Sequence, residues 1–132
     1  MAILCLSCLS FLEAGKLKIL AEKDCLKTLC LLLKDHITLV REASSLALAS
    51  LAQMNQGKAE IFPYFDIVAD LLLDPEEKVQ LNIIELIGSL AEHPEGRKKS
   101  MKCLEVLENL KEKSEYLKEY IIDTVNVITW KP

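Results

Sequence analysis

Aromatic residues are scarce in this chain, 5% of 132 positions, and glycine and proline number only four each. Strands favour aromatic and β-branched residues, and loop-rich folds need glycine and proline at their turns, so both shortages argue against an all-β or irregular architecture. Positive charge is also short: 16 Lys and Arg against 20 Asp and Glu leave a formal charge of −4, with an isoelectric point near 5.2. Without a basic stripe interleaved with aromatics, a nucleic-acid role has no electrostatic basis. No apolar run reaches the roughly 20 residues of a membrane-spanning helix. Neither a Gly-rich phosphate loop nor an H-E-x-x-H pair of metal ligands occurs. His36 and His93 fall in polar turns, apart from the cysteines, so no Cys-His couple for nucleophilic catalysis is suggested. The pair Glu76-Glu77 reads as a helix start, where the macrodipole favours negative charge. The expectation is a non-enzymatic protein with no cofactor and no metal, whose partners are other proteins rather than nucleic acid or membrane.

Five cysteines are present, Cys5, Cys8, Cys25, Cys30 and Cys103. Four of them can be written as C-x2-C…C-x4-C, a zinc pattern when it sits in loops. Here they lie in Leu-rich helical runs, where a free thiol serves as a small core residue. Their odd number fits a reducing compartment. Residues 2–12 are apolar enough for a signal-peptide core, but no Lys or Arg precedes them, and they align with the ends of the later long helices.

Hydrophobic residues make up 51% of the chain, and Leu, Ile and Ala supply most of them, which is helix composition. The strongest pattern is a self-match at a spacing of about 40 residues, the range of helical repeat proteins. Lys34-Asp35-His36-Ile37-Thr38-Leu39-Val40-Arg41 is echoed by Leu73-Asp74-Pro75-Glu76-Glu77-Lys78-Val79-Gln80. Ser50-Leu51-Ala52 returns as Ser89-Leu90-Ala91, and Gly57-Lys58 as Gly96-Arg97, all at one constant offset. An earlier copy ends at Gly15-Lys16. Such a period marks stacked helical layers, none of which buries its apolar face alone. The expected units are a partial repeat 1–15, repeats 16–57 and 58–96, and a degenerate capping repeat 97–132.

Within these units the periodicity predicts individual helices. One runs over 2–13 and stops near Gly15; a short one follows over 16–22. Asp24 is expected to cap a helix over 25–34 whose Leu26, Leu29, Cys30 and Leu33 form a stripe at i, i+3, i+4, i+7. Thr38 should cap the next, which reaches Met54 and buries Val40, Ala43, Ala47, Leu48 and Leu51. Then come a short segment after Gly57, a break at Pro63, a helix over 64–73 and a long one over 76–92. Pro75 is expected in a helix first turn, and Pro94 and Gly96 are expected to end the unit. Helices over 101–113 and 115–130 meet near Ser114. Trp130 should cover the last apolar layer. Ile3, Leu4, Leu6 and Leu9 read as an interior layer of a longer array and, if exposed, would drive self-association through residues 3–12.

A short helix and two longer ones per unit of about 40 residues is the armadillo-type arrangement, with two-helix HEAT units as near neighbour. The fold expected is therefore all-α, an armadillo/HEAT-like right-handed α-solenoid of about three repeats. Leu81-Asn82, Leu90-Ala91-Glu92, Pro94-Glu95-Gly96-Arg97-Lys98 and the terminal Lys131-Pro132 resemble the C-terminal end of the radial spoke head 14 homolog family of armadillo-repeat proteins. The resemblance covers nearly all of this chain and about the final third of that family's length. It implies a non-enzymatic scaffold of the cytoplasm and cytoskeleton, placed in the axonemal radial spoke of motile cilia and flagella; a soluble cytoplasmic adaptor of ubiquitin-ligase or trafficking type is the alternative.

Armadillo proteins that bind nuclear-import peptides resemble one another in an Asn, with a Trp four residues earlier, on each long helix. The matching positions here carry Ser50 and Leu46, then Ser89 and Glu85, so that ladder is missing. The same mapping puts Glu42, Leu46, Ser50, Gln53, Leu81, Glu85, Ser89, Glu92, Glu119 and Asp123 on the concave face. Their charge is acidic, which suits a basic helix or extended segment of a partner protein.

Overall fold

The computed structural model describes residues 13–132, and every regular element among them is helical. In order these are α1 (Glu13–Ala21), α2 (Lys23–Leu32), α3 (Thr38–Leu51), α4 (Asn55–Ile61), α5 (Phe65–Asp70), α6 (Glu77–Leu90), α7 (Pro94–Ser100), α8 (Leu104–Lys113) and α9 (Glu115–Ile128). Single 3₁₀ turns, Phe62–Tyr64 and Met101–Cys103, join α4 to α5 and α7 to α8, and a third, Leu71–Leu73, extends α5. The fold is all-α. The expected helix over 2–13, the layer of Ile3, Leu4, Leu6 and Leu9, the cysteines Cys5 and Cys8 and the self-association segment 3–12 fall, apart from residue 13, outside the described residues.

The period in the sequence is also a period in the elements. α3 and α6 each have 14 residues and α4 and α7 each have seven, and the two members of each pair start at the same offset as the sequence match. The long helices form one layer: α3 packs on α6 and α6 on α9, while α2 leans on α3 and α8 on α9. Leu29, Leu33, Leu48, Leu51, Ile61, Leu72, Ile83, Ile84, Leu86, Ile87, Leu90 and Leu107 are shut off from solvent in a single cluster running through these layers. Each such side chain contributes ~1.5–3 kcal/mol when buried. The predicted stripe Leu26, Leu29, Cys30, Leu33 lies in this core, as do Ala43, Ala47, Leu48 and Leu51, whereas Val40 is only half-buried.

Side-chain hydrogen bonds between layers follow the period too. Asn82 donates to the Glu42 carbonyl (3.2 Å) and to Ser45 Oγ (3.0 Å), and Thr124 Oγ1 donates to the Ile84 carbonyl at 3.2 Å. Arg41 Nε meets Asp74 Oδ2 at 2.7 Å with side chains only 12% and 3% exposed. That geometry satisfies a charge pair that would otherwise be costly to bury.

Helix ends differ from expectation in instructive ways. α2 starts after Glu22, so Asp24 lies in its first turn instead of capping it. α3 starts after Ile37, with Thr38 already helical and no side chain capping the first turn; just ahead of the helix, Asp35 Oδ1 accepts from the Ile37 N–H at 2.9 Å. Asp74 repeats this at the Glu76 N–H (2.9 Å). Both are turns in which an Asp side chain mimics the backbone two residues on. Pro75 therefore precedes the N-cap residue Glu76 and is not in the first turn. α3 closes at Leu51 and α6 at Leu90, short of Met54 and Glu92.

Pro94 and Gly96 open α7 instead of ending a unit, with His93 Nδ1 accepting from the Glu95 N–H at 3.2 Å. Gly57 is likewise inside α4, and Gly15 inside α1. Among the described residues no glycine has positive φ. What Gly57 and Gly96 provide is space: a Cβ would stand 2.0 Å from the Leu51 carbonyl oxygen and 1.8 Å from that of Leu90. The short helix turns back so tightly on the end of the long one that only a hydrogen fits.

Candidate functional site

The long helices α3 and α6 present the same four positions to one side. Leu46, Ala49, Ser50 and Gln53 from α3 and its end, and Glu85, Gly88, Ser89 and Glu92 from α6 and its end, line one open groove with Asp123, Thr124 and Val127 of α9. Every member of the first set has its counterpart in the second at the constant offset of the repeat. The spacing i, i+3, i+4, i+7 keeps each set on one helix face. The groove measures about 420 Å³.

Seven of the ten residues expected on a concave face line this groove: Leu46, Ser50, Gln53, Glu85, Ser89, Glu92 and Asp123. The structure places Glu42 and Leu81 one turn nearer the helix N-termini, both half-buried, with the Glu42 carbonyl already accepting from Asn82. Glu119 is exposed on α9, outside the groove lining. Ala49, Gly88, Thr124 and Val127 complete the floor. For Ala49, Gly88 and Val127 the signal in the sequence is their place three or four residues after Leu46, Glu85 and Asp123; Thr124 has no such relation to a predicted position. Gly88 is tight against Thr124, whose Oγ1 would lie 3.1 Å from an added Cβ.

Two features make the groove electronegative. Glu85, Glu92 and Asp123 supply carboxylates while none of the lining residues is basic; Lys16 touches only the rim, where its Nζ donates to Gln53 Oε1 at 2.7 Å. The groove also occupies the C-terminal halves of α3, α6 and α9, none of which carries a basic residue in its last turn. Helix C-termini hold roughly half a negative charge each, so three of them add to the field of the carboxylates.

Ser50 is 4% exposed and makes no side-chain hydrogen bond to the described residues, and it faces this groove. A hydroxyl so placed is an available donor and acceptor for an occupant.

A second depression adjoins the first through Glu92 and Val127 and continues over Pro94, Arg97, Asn126 and Trp130. Trp130, expected to cover the core, is 55% exposed instead, with the Arg97 guanidinium 5.0 Å from its ring centre. The last turn of α9 ends at Ile128, which is buried and closes the apolar layer itself. The indole is thereby left as a wall of the surface.

Burial pushes the Cys30 thiol up to about 12, and burial also raises Cys103. Cys25 is raised by partial burial and then by Glu22. All three are held as protonated thiols, the opposite of an activated nucleophile. Among the described residues no group of His, Cys, Asp and Glu is arranged to hold a metal ion, and no helix is long and apolar enough to cross a membrane.

No family model matches the chain, and no curated protein matches it in sequence. Among solved structures, the crystal structure of an engineered protein from the Northeast Structural Genomics Consortium is similar, with a TM-score of 0.72 at 17% identity. The likeness covers 86% of this chain and 53% of that one, so this chain spans about half of its length. At that identity the similarity is one of fold alone.

Proposed function

We propose that this protein is a non-enzymatic scaffold, an armadillo-like solenoid of about three repeats that binds a basic segment of another protein along its acidic groove. The observation that carries this reading is the groove wall itself: four positions of α3 recur on the same face of α6, so successive layers present one continuous surface. Its negative potential selects positively charged partners and speeds their encounter. The test is co-precipitation of the native protein and of Glu85→Lys with Glu92→Lys from cells that express it. Loss of the associated proteins in the variant, with the fold intact by circular dichroism, supports the groove; an unchanged set contradicts it.

Within that role we place the protein in the axonemal radial spoke. The support is the sequence resemblance at Leu90-Ala91-Glu92, Pro94-Glu95-Gly96-Arg97-Lys98 and Lys131-Pro132. Retention with detergent-extracted axonemes, lost under conditions that release spokes, is the expected result of fractionating ciliated cells. Recovery in the soluble fraction overturns the axonemal reading and favours a cytoplasmic adaptor.

A further inference from the structure

The acidic groove has an apolar annex. Glu92 and Val127 belong to both depressions, and beyond them the surface passes to Pro94 and the exposed ring of Trp130. Arg97 stacks on that ring at 5.0 Å while its Nη1 donates to the Ala91 carbonyl at 3.4 Å. The guanidinium is thus engaged on the indole and the backbone, which steadies the ring against the annex. A fixed, half-exposed indole beside proline and valine is suited to hold an aliphatic or aromatic side chain.

We propose that the partner segment is bipartite: one or two Arg or Lys residues seated among Glu85, Glu92 and Asp123, followed by a large apolar side chain that packs on Trp130. This rests on the scaffold reading above and specifies its partner. Charge complementarity sets the first half, with Ser50, a residue 4% exposed whose hydroxyl makes no side-chain hydrogen bond to the described residues, offering the basic half a further polar contact. Helix geometry sets the spacing. Asp123 lies five positions before Ile128, the last residue of α9, a rise of about 7.5 Å at 1.5 Å per helical residue, and Trp130 follows two residues beyond the helix end. An extended chain reaches past that rise in about three residues. The occupant is therefore an extended segment with a bulky apolar residue about three places from its last basic one.

Trp130 is the chain's one tryptophan, so its emission reports the annex alone. The probe is an acetylated, amidated peptide with two arginines and a leucine three places after the second, titrated into the full chain at low salt. The expected result is a saturable blue shift of Trp130 emission and an affinity that falls with salt. Replacing the leucine by serine should weaken binding about tenfold and abolish the blue shift. Trp130→Ala, read by calorimetry, should weaken the leucine peptide about tenfold and leave the serine peptide unchanged.

If both peptides bind equally and the emission stays fixed, the annex is no part of the site, although the acidic groove stands. If Glu85→Lys with Glu92→Lys binds the arginine peptide as tightly as the native chain, the groove reading fails and the bipartite partner with it. A blue shift that grows with protein concentration in the absence of peptide would assign the annex to a second copy of the chain and also overturn the proposal.

Discussion

The two junctions between long helices solve one problem with different chemistry. At the start of α6, Asp74 closes the turn onto the Glu76 N–H and is also paired with Arg41 inside the protein. At the start of α9 the corresponding place is taken by Ser114, whose hydroxyl accepts from the Leu117 N–H at 3.2 Å and also meets Glu77 near the surface. Arg41 itself is replaced in the next repeat by Gln80, which donates to the Leu72 carbonyl at 2.9 Å. The α3–α6 junction thus rests on an ion pair held away from water, and the α6–α9 junction on a serine hydroxyl set between a backbone N–H and the exposed Glu77 carboxylate. A buried pair is unforgiving of losing either member, whereas a hydroxyl cap contributes modestly. The sensitive joint therefore lies in the middle of the described chain and the soft one at α9.

Asp74→Ala breaks this contrast hardest. It strands the Arg41 guanidinium and removes the Glu76 turn, with an expected loss of ~3–5 kcal/mol in the denaturation free energy. Asp74→Ala together with Arg41→Met should recover part of that loss. Gly96→Ala comes next. Its Cβ would collide with the Leu90 carbonyl at 1.8 Å, so α7 must shift, at a cost of ~1–3 kcal/mol. Ser114→Ala should cost about 1 kcal/mol and raise amide exchange in α9 while leaving α3 unaffected.

The smallest effect belongs to the exposed pair Lys102–Asp66. The hydrogen bond and then the charge of Lys102 hold the Asp66 carboxyl below its ordinary value. A depressed carboxylate stabilises the fold above the unfolded-state value and loses that contribution as pH falls through the lower folded one. The melting temperatures of the native chain and Asp66→Asn should differ slightly at neutral pH and converge in acid.

Much of the layering can be read in the sequence because it repeats. The constant offset between Ser50-Leu51-Ala52 and Ser89-Leu90-Ala91 anticipates both α3 and α6 and the groove positions on them. Helix starts are less legible, since the residue that turns extended is chosen by its neighbours: Asp35 and Asp74 close Asx-type turns onto the N-cap residues Ile37 and Glu76, which puts Thr38 inside α3 and leaves Pro75 outside α6. Gly57 and Gly96 resemble helix stops in one dimension, and only the approach of the Leu51 and Leu90 carbonyls reveals them as points of contact. The Arg41–Asp74 and Asn82–Ser45 links join residues 33 and 37 positions apart and belong to no local pattern. Trp130 departs from its expected place because Ile128 already fills the last layer.

If the repeated positions on α3, α6 and α9 act as one binding surface, a single ligand must be felt on all three helices at once. NMR shift mapping on the isotope-labelled chain, as the arginine-leucine peptide is added, reads this residue by residue. Perturbations are expected to gather on Leu46, Ser50, Gln53, Glu85, Ser89, Glu92, Asp123 and Val127 and to fade with salt. Perturbations gathered instead on the exposed Tyr116 and Tyr120 face of α9, or spread evenly over the surface, would mean that the groove is not a shared site.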